Sequence, residues 1–206
     1  DRLLAGVQPK IKSYREKEKF EYAGACGGFI DWLGFPFCRG RILNTLEADR
    51  GQYDVETEIF WATGAAMCIR REAYLMSGGL DETFFAHMEE IDLCWRLKNR
   101  GFHFRVVPQS TVFHLGGGTL PMNHPHKLFL NYRNNLLMMY KNLPVKGRKK
   151  IFRLRLVMDV TAALLFLLKG EFKNLLSIRL AYRDFRKIRH NYLPEPGPSP
   201  ISGVYG

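Results

Sequence analysis

The segment 78–101 constrains the fold more than any other part of this sequence. Its first two residues are a glycine pair that predicts a turn, and apolar residues at helical spacing predict a helix that ends at Gly101. Three carboxylates, Glu89, Glu90 and Asp92, lie at the start of this helix. The helix dipole favours a carboxylate there, but three within four residues are expected to raise the pKa of at least one, which suits a general base. The pattern leaves a structural and a catalytic interpretation open.

The net charge of +11 is unevenly distributed along the chain. Residues 1–126 carry 15 Lys and Arg against 16 Asp and Glu, whereas residues 127–190 carry 16 against 3. A strongly basic module suits an anionic membrane surface or nucleic acid, and no nucleic-acid recognition motif is present. We therefore expect a membrane-apposed module without a nucleic-acid partner. The alternative is a helix pair packed on the preceding domain, with a solvated basic face.

Composition and periodicity divide the chain into four parts. Residues 1–22 show no clear period and predict an irregular lead-in or linker, and residues 23–120 predict an α/β domain. Residues 121–192 predict basic amphipathic helices, and the Pro-rich residues 193–206 predict a disordered tail.

Local patterns predict further elements within the α/β domain. Residues 59–70 are typical of a buried strand with a close backbone approach at Gly64, and residues 71–77 of a short helix. Residues 102–107 and 111–115 predict two strands separated by Pro108.

Three classes of protein fit the sequence poorly. The apolar stretch 156–168 has 13 residues and contains Asp159, whereas a membrane span needs about 20; it predicts a buried or interfacial helix. Residues 1–20 are mostly polar, unlike a signal peptide. The four cysteines form no C-x-x-C pair or zinc-site spacing, so buried free thiols in a reducing compartment are expected.

Residues 63–119 resemble the C-terminal half of the catalytic domain of family-two glycosyltransferases, in the rhamnosyltransferase-like branch that builds bacterial surface polysaccharides. The resemblance rests on GGLDE at 78–82, the acidic pair, DLCWR at 92–96 and H-x-G-G at 114–117, and extends over roughly residues 20–190. It implies the acceptor half of a GT-A, Rossmann-like α/β domain, followed by a basic amphipathic helical tail. Such enzymes transfer a sugar, with inversion, from a nucleoside-diphosphate sugar to a hydroxyl of a glycan or polyprenyl-linked acceptor.

The resemblance also implies roles for individual residues. Glu90 stands where the family has the base that removes the acceptor proton, although the family usually has Asp there, so Glu89 remains a rival. His114 stands where some relatives bind the divalent ion. Residues that match the acceptor side near the distal donor phosphate are Trp61, Thr63 and Gly64.

The resemblance also assigns Asp92 to that phosphate-facing region, but pairing with Arg96 at i+4 is the more plausible interpretation. The family's donor-binding half, whose D-x-D motif holds most of the Mg²⁺ or Mn²⁺, has no counterpart in these residues. The chain is therefore expected to be part of a longer enzyme, cytoplasmic and peripheral at the inner face of the plasma membrane. The alternatives are a non-catalytic membrane- or partner-binding fragment, and a metal-dependent hydrolase that uses Glu89, Glu90 and His114.

Overall fold

The computed structural model describes residues 1–42, 45–116 and 124–192. These residues form two units. The first contains residues 1–81 and 90–116, and the second contains residues 82–89 and 124–192. The chain therefore enters the second unit for a short segment and leaves it at the carboxylate pair of the predicted helix.

Short strands dominate the first unit. The strands that the structure describes there are β1 (Leu4–Ser13), β2 (Gly28–Ile30), β3 (Pro36–Cys38), β4 (Arg41–Ile42), β5 (Thr45–Leu46), β6 (Thr57–Ile59), β7 (Cys68–Ile69) and β8 (His103–His114). Four of them form one sheet in the order β6-β8-β1-β7, with β1 parallel to β8 and the other two pairs antiparallel. The two hairpins β2-β3 and β4-β5 lie outside this sheet. The predicted mixed α/β class is confirmed, and the GT-A assignment stays a prediction.

The interpretation of residues 1–22 as an irregular lead-in is wrong, because β1 is a central strand of the sheet. Its inward positions include Gln8 and Lys10, both buried, and these polar residues hide the apolar alternation. The Gln8 amide donates to the carbonyl of Gly24 at 3.2 Å, and the Lys10 ammonium lies 3.0 Å from Asp49. Buried polar groups with partners carry little penalty, so the strand is stable without an apolar pattern.

Two further strand predictions need correction. Residues 102–115 form one strand rather than two, because Pro108 lies in a register shift: Pro9 pairs with Val107, and Lys10 pairs with Thr111. A bulge accommodates a proline that a regular ladder would exclude. Residues 59–70 do not form a single strand; β6 ends at Ile59 and β7 begins at Cys68.

The helices of the first unit agree with the sequence. Helix α1 covers Arg71–Met76, and helix α2 covers Glu89–Asn99. The glycine pair between them has φ of +82° and +71°, and Gly101 has φ of +88°, as expected for the residue after a helix. Trp95 from α2 is fully buried and makes an edge-to-face contact with Phe60, with ring centroids 5.4 Å apart.

The described part of the second unit contains three α-helices: α3 (Pro125–Asn142), α4 (Val145–Leu168) and α5 (Phe172–Ile188). They confirm the predicted helical character of this region. A buried polar network joins them: Asp159 of α4 accepts hydrogen bonds from Arg155 at 3.0 Å and from Tyr182 of α5 at 2.7 Å. Arg155 also donates to Asn135 of α3. Each buried charge in this network therefore has a partner.

Among the helices that the structure describes, none combines the length and the apolar character that crossing a bilayer requires. The predicted disordered tail at 193–206 lies outside the described residues. Cys26, Cys38 and Cys94 are buried free thiols, as predicted, whereas Cys68 is exposed.

Candidate functional site

Glu90 lies half-buried in the first turn of α2, beside the loop that joins β6 to β7. A Cβ atom on Gly64 would be 3.9 Å from the Cβ of Glu90, so the loop backbone reaches the carboxylate-bearing turn. Cys38 is close as well: burial raises the pKa of its thiol to about 11, and the charge of Glu90 contributes to that increase. The structure therefore brings Glu90 and Gly64 together, as a shared site requires.

Trp61 and Thr63 hold this loop in place. The buried indole of Trp61 donates to the carbonyl of Phe29 at 2.9 Å and packs on Gly28, where an added Cβ would lie 2.1 Å from the ring. The buried Thr63 donates its backbone N–H to the side chain of Gln8 at 2.9 Å. These contacts fix the loop, and contact of either residue with an acceptor stays a prediction.

Asp92 has a structural partner. It is fully buried, and the Arg96 guanidinium donates to it at 2.8 Å, which is the predicted i+4 pair. Arg96 also donates to the carbonyl oxygens of Ser77 and, at 2.8 Å, Gly79. This cluster ties the glycine turn to α2, so the structure supports Asp92 as an organiser of the helix.

His114 lies at the end of β8 beside a buried carboxylate. Its Nδ1 is 3.4 Å from Oε2 of Glu21, and that oxygen also accepts the N–H of Ala23 at 2.6 Å. The charge of Glu21 contributes to the raised pKa of Cys38, as that of Glu90 does. The sequence analysis missed Glu21, because no motif distinguishes it from the other acids of residues 1–22.

His114 and Glu21 together could supply two ligands to a metal ion. Residues 1–42, 45–116 and 124–192 contain no group of three or more His, Cys, Asp or Glu side chains that could hold one. Mg²⁺ is commonly held by one or two protein groups together with substrate phosphates and water. Ligation of a divalent ion by His114 stays a prediction.

Glu89 begins α2 and belongs to the second unit. Burial raises the pKa of its carboxyl, and its Oε2 is buried without a hydrogen-bond partner in the described part of the chain. A raised pKa in this cluster was expected from the sequence, and its cause is burial rather than repulsion among the carboxylates. A half-buried carboxylate with a raised pKa has the electrostatic character of a general base.

The backbone before Glu89 is strained. Phe85, His87 and Met88 have φ of +62°, +70° and +75°, in the left-handed region that non-glycine residues rarely adopt. Each such residue costs about 1–3 kcal/mol, and such strain concentrates at functional sites. The entry into α2 is therefore held in a conformation that the local sequence does not favour.

Asn134 of α3 holds this segment through hydrogen bonds to its backbone. Its fully buried amide nitrogen lies 2.9 Å from the carbonyl oxygen of Phe84 and 2.8 Å from those of Ala86 and His87. The neighbouring Arg133 donates to the carbonyl of Phe84 at 3.1 Å. These contacts compensate the strain, and no sequence motif indicated them.

Helix α4 exposes an unusual number of apolar side chains. The exposed ones on this helix are Val145, Leu154, Leu156, Val157, Met158, Val160, Leu164, Leu165, Leu167 and Leu168. We call this set the α4 apolar surface. Exposed apolar sets of this size often mark a surface that contacts a membrane or another partner.

Comparison with known proteins places the chain near glycosyltransferases. No family model matches it. Over 59 residues, which are 29% of this chain, it is 37% identical to N-acetylglucosaminyl-diphospho-decaprenol L-rhamnosyltransferase of Mycobacterium tuberculosis. Over a segment of the same length it is 32% identical to the rhamnosyltransferase WbbL of Escherichia coli K12. The matches cover 19% and 22% of these relatives, so the chain spans about a fifth of their length. Both of these relatives are named as rhamnosyltransferases.

Proposed function

We propose that this chain supplies the acceptor-side residues of an inverting, family-two glycosyltransferase. The enzyme moves a sugar from a nucleoside-diphosphate sugar to a hydroxyl of a lipid-linked glycan. The observation that carries the proposal is the half-buried Glu90 in the first turn of α2, whose Cβ lies beside the loop at Gly64. The partial similarity to rhamnosyltransferases, one of them named for a decaprenol-linked acceptor, supports the same reaction class.

The proposed chemistry is a single displacement. The acceptor hydroxyl oxygen attacks the anomeric carbon of the donor sugar while a carboxylate takes the hydroxyl proton. The bond from the anomeric carbon to the diphosphate breaks on the opposite face, and the nucleoside diphosphate leaves with the bonding electrons. Glu90, whose turn meets the loop at Gly64, is the proposed base. Glu89, whose pKa burial raises, is the rival.

Replacement of each carboxylate by its amide tests this assignment. Glu90→Gln removes the proton acceptor at constant size, so transfer should fall by about 10²–10⁴-fold while donor binding is retained. Both are measured on the longer enzyme that contains the donor-binding half: transfer with a panel of nucleoside-diphosphate sugars, and donor binding by calorimetry. Glu72→Gln, on the exposed face of α1, is the matched control. Full transfer by Glu90→Gln together with loss in Glu89→Gln would move the base to Glu89.

We further propose that the second unit rests on an anionic membrane surface at the cytoplasmic side. The α4 apolar surface and the 16 basic residues of 127–190 support this placement. Each basic residue near such a surface contributes about 1 kcal/mol. Leu164→Asp should therefore weaken flotation with vesicles that contain anionic lipid, whereas Thr161→Asp, exposed on the same helix, should have a smaller effect. Equal flotation of both variants would contradict insertion of this surface.

The α4 apolar surface also favours a second candidate, a non-catalytic membrane-binding fragment. This candidate predicts vesicle binding without donor binding, and no effect of Glu90→Gln in any transfer assay. The donor-binding panel separates the two candidates directly.

A further inference from the structure

A groove between α4 and α5 has the chemistry of a site for an anionic amphiphile. Its volume is about 630 Å³, which lies within the usual range of ligand sites. Its apolar lining consists of Leu156, Val160, Ala163, Leu175 and Ile178. We call this feature the α4–α5 groove. Because Leu156 and Val160 also belong to the α4 apolar surface, the groove continues into the surface proposed to meet lipid.

Four exposed cations line the same groove along α5: Arg179, Arg183, Arg186 and Lys187. The first three are spaced at i, i+4 and i+7, which places them on one face of the helix. Within residues 1–42, 45–116 and 124–192, none of the four forms an ion pair. The positive charge is therefore available to a ligand.

The acidic residue of the groove does not neutralise these cations. Asp159 is buried, and its two oxygens accept hydrogen bonds from Arg155 and Tyr182. Its charge is thus matched inside the helical unit. The groove consequently combines an apolar lining with four cations whose charge Asp159 does not neutralise.

We propose that the α4–α5 groove binds the diphosphate and the first isoprene units of a prenyl-diphosphate-linked acceptor. A hydrocarbon chain fits the apolar lining, and a diphosphate diester brings two negative charges to the cations, with oxygens that guanidinium groups bind in a bidentate manner. A free nucleotide would leave the apolar lining unused, and a neutral lipid would leave the cations unmatched. The identity of this ligand rests on the proposed function, because the acceptor is its lipid substrate.

Calorimetry with farnesyl diphosphate, a short soluble prenyl diphosphate, tests the site on the purified protein. Farnesyl diphosphate should bind at least about tenfold more tightly than either inorganic pyrophosphate or farnesol, since only it engages both parts of the groove. Equal affinity for pyrophosphate and farnesyl diphosphate would overturn the proposal, because binding would then need only charge.

Two matched pairs of variants locate the binding. Arg183→Glu should lower the affinity for farnesyl diphosphate about tenfold or more, and Arg153→Glu, exposed on α4 outside the groove, should not. Ala163→Trp fills the apolar part and should weaken farnesyl diphosphate but not pyrophosphate, in contrast to Thr161→Trp. Equal losses within either pair would show a non-specific surface effect and refute the site.

Farnesyl diphosphate binding and sugar transfer test the groove and the enzyme assignment separately. If farnesyl diphosphate binds in the groove but no sugar is transferred to any acceptor, the site stands and the enzyme assignment fails. If transfer to a lipid-linked acceptor proceeds with unchanged KM in Arg183→Glu and Ala163→Trp, the enzyme assignment stands and the groove is not the acceptor site.

Discussion

The side chain of Asn134 allows the sharpest test of how the entry into α2 is held. Its amide nitrogen carries two hydrogens and lies within 2.8–2.9 Å of three carbonyl oxygens. At least one hydrogen is therefore shared between two of these acceptors. Asn134→Ala removes both donors. Asn134→Asp keeps the shape but places a carboxylate oxygen where the nitrogen faced those three acceptors.

The expected cost follows from the hydrogen bonds and the strain together. Removing a buried donor and leaving its acceptor unsatisfied costs about 1–3 kcal/mol, so two lost hydrogens cost about 2–6 kcal/mol. The strained segment can then relax and recover part of this, since each left-handed residue stores about 1–3 kcal/mol. We therefore expect Asn134→Ala to lower the free energy of unfolding by about 2–4 kcal/mol. Asn134→Asp should be worse at neutral pH and should recover as the pH falls, because a protonated carboxyl can donate one hydrogen bond.

Urea unfolding at pH 5 and pH 8 measures these differences, with Asn131→Ala on the same helix as the control. Asn131 is half-buried, and its replacement should change stability by no more than about 0.5 kcal/mol. In transfer assays Asn134→Ala should lower kcat while donor affinity is retained, because Asn134 holds the segment that directly precedes Glu89. The reasoning is refuted if Asn134→Ala is as stable as the control, or if Asn134→Asp equals Asn134→Ala at both pH values.

Three further predictions concern other parts of the chain. Because burial raises the folded-state pKa of Glu89, stability should decline as the pH rises from its ordinary pKa to the raised one; Glu89→Gln should be more stable than the natural protein at pH 8 and similar to it at pH 4 in urea unfolding. Iodoacetamide should modify the exposed Cys68 of the folded protein but not Cys94, whose pKa burial raises to about 12; equal labelling by mass spectrometry would contradict this. Gly28→Ala should lower the free energy of unfolding by about 1–3 kcal/mol and change the fluorescence of Trp61, because the new Cβ would meet its ring; an unchanged unfolding midpoint would show that this contact yields easily.

Local signals predicted the elements that local chemistry controls. The helix from Glu89 to Asn99 follows from apolar spacing and from a glycine at its end, and the turn before it from two glycines that adopt positive φ. The pair between Asp92 and Arg96 follows from a four-residue spacing. These features need no knowledge of the rest of the molecule.

Features that depend on distant partners could not be predicted in this way. Gln8 is a buried strand residue because Gly24 and Thr63 complete its hydrogen bonds, and a single sequence does not show those contacts. Glu21 becomes a site candidate only when the end of β8 places His114 beside it. The hydrogen bonds of Asn134 likewise join residues that are almost fifty positions apart.

The position of β1 also governs how the first unit can fold. Its main partner is β8, and the pairing joins Leu4 to His103 and Ser13 to His114, about a hundred residues along the chain. Such a distant parallel pairing requires the closure of a long loop before any contact compensates the lost entropy, so folding of this unit is expected to be slow. During synthesis β1 cannot pair with β8 until β8 has left the ribosome. A version of the protein trimmed at residue 22 would lose the middle of its sheet, and its remaining strands would expose edges that favour aggregation.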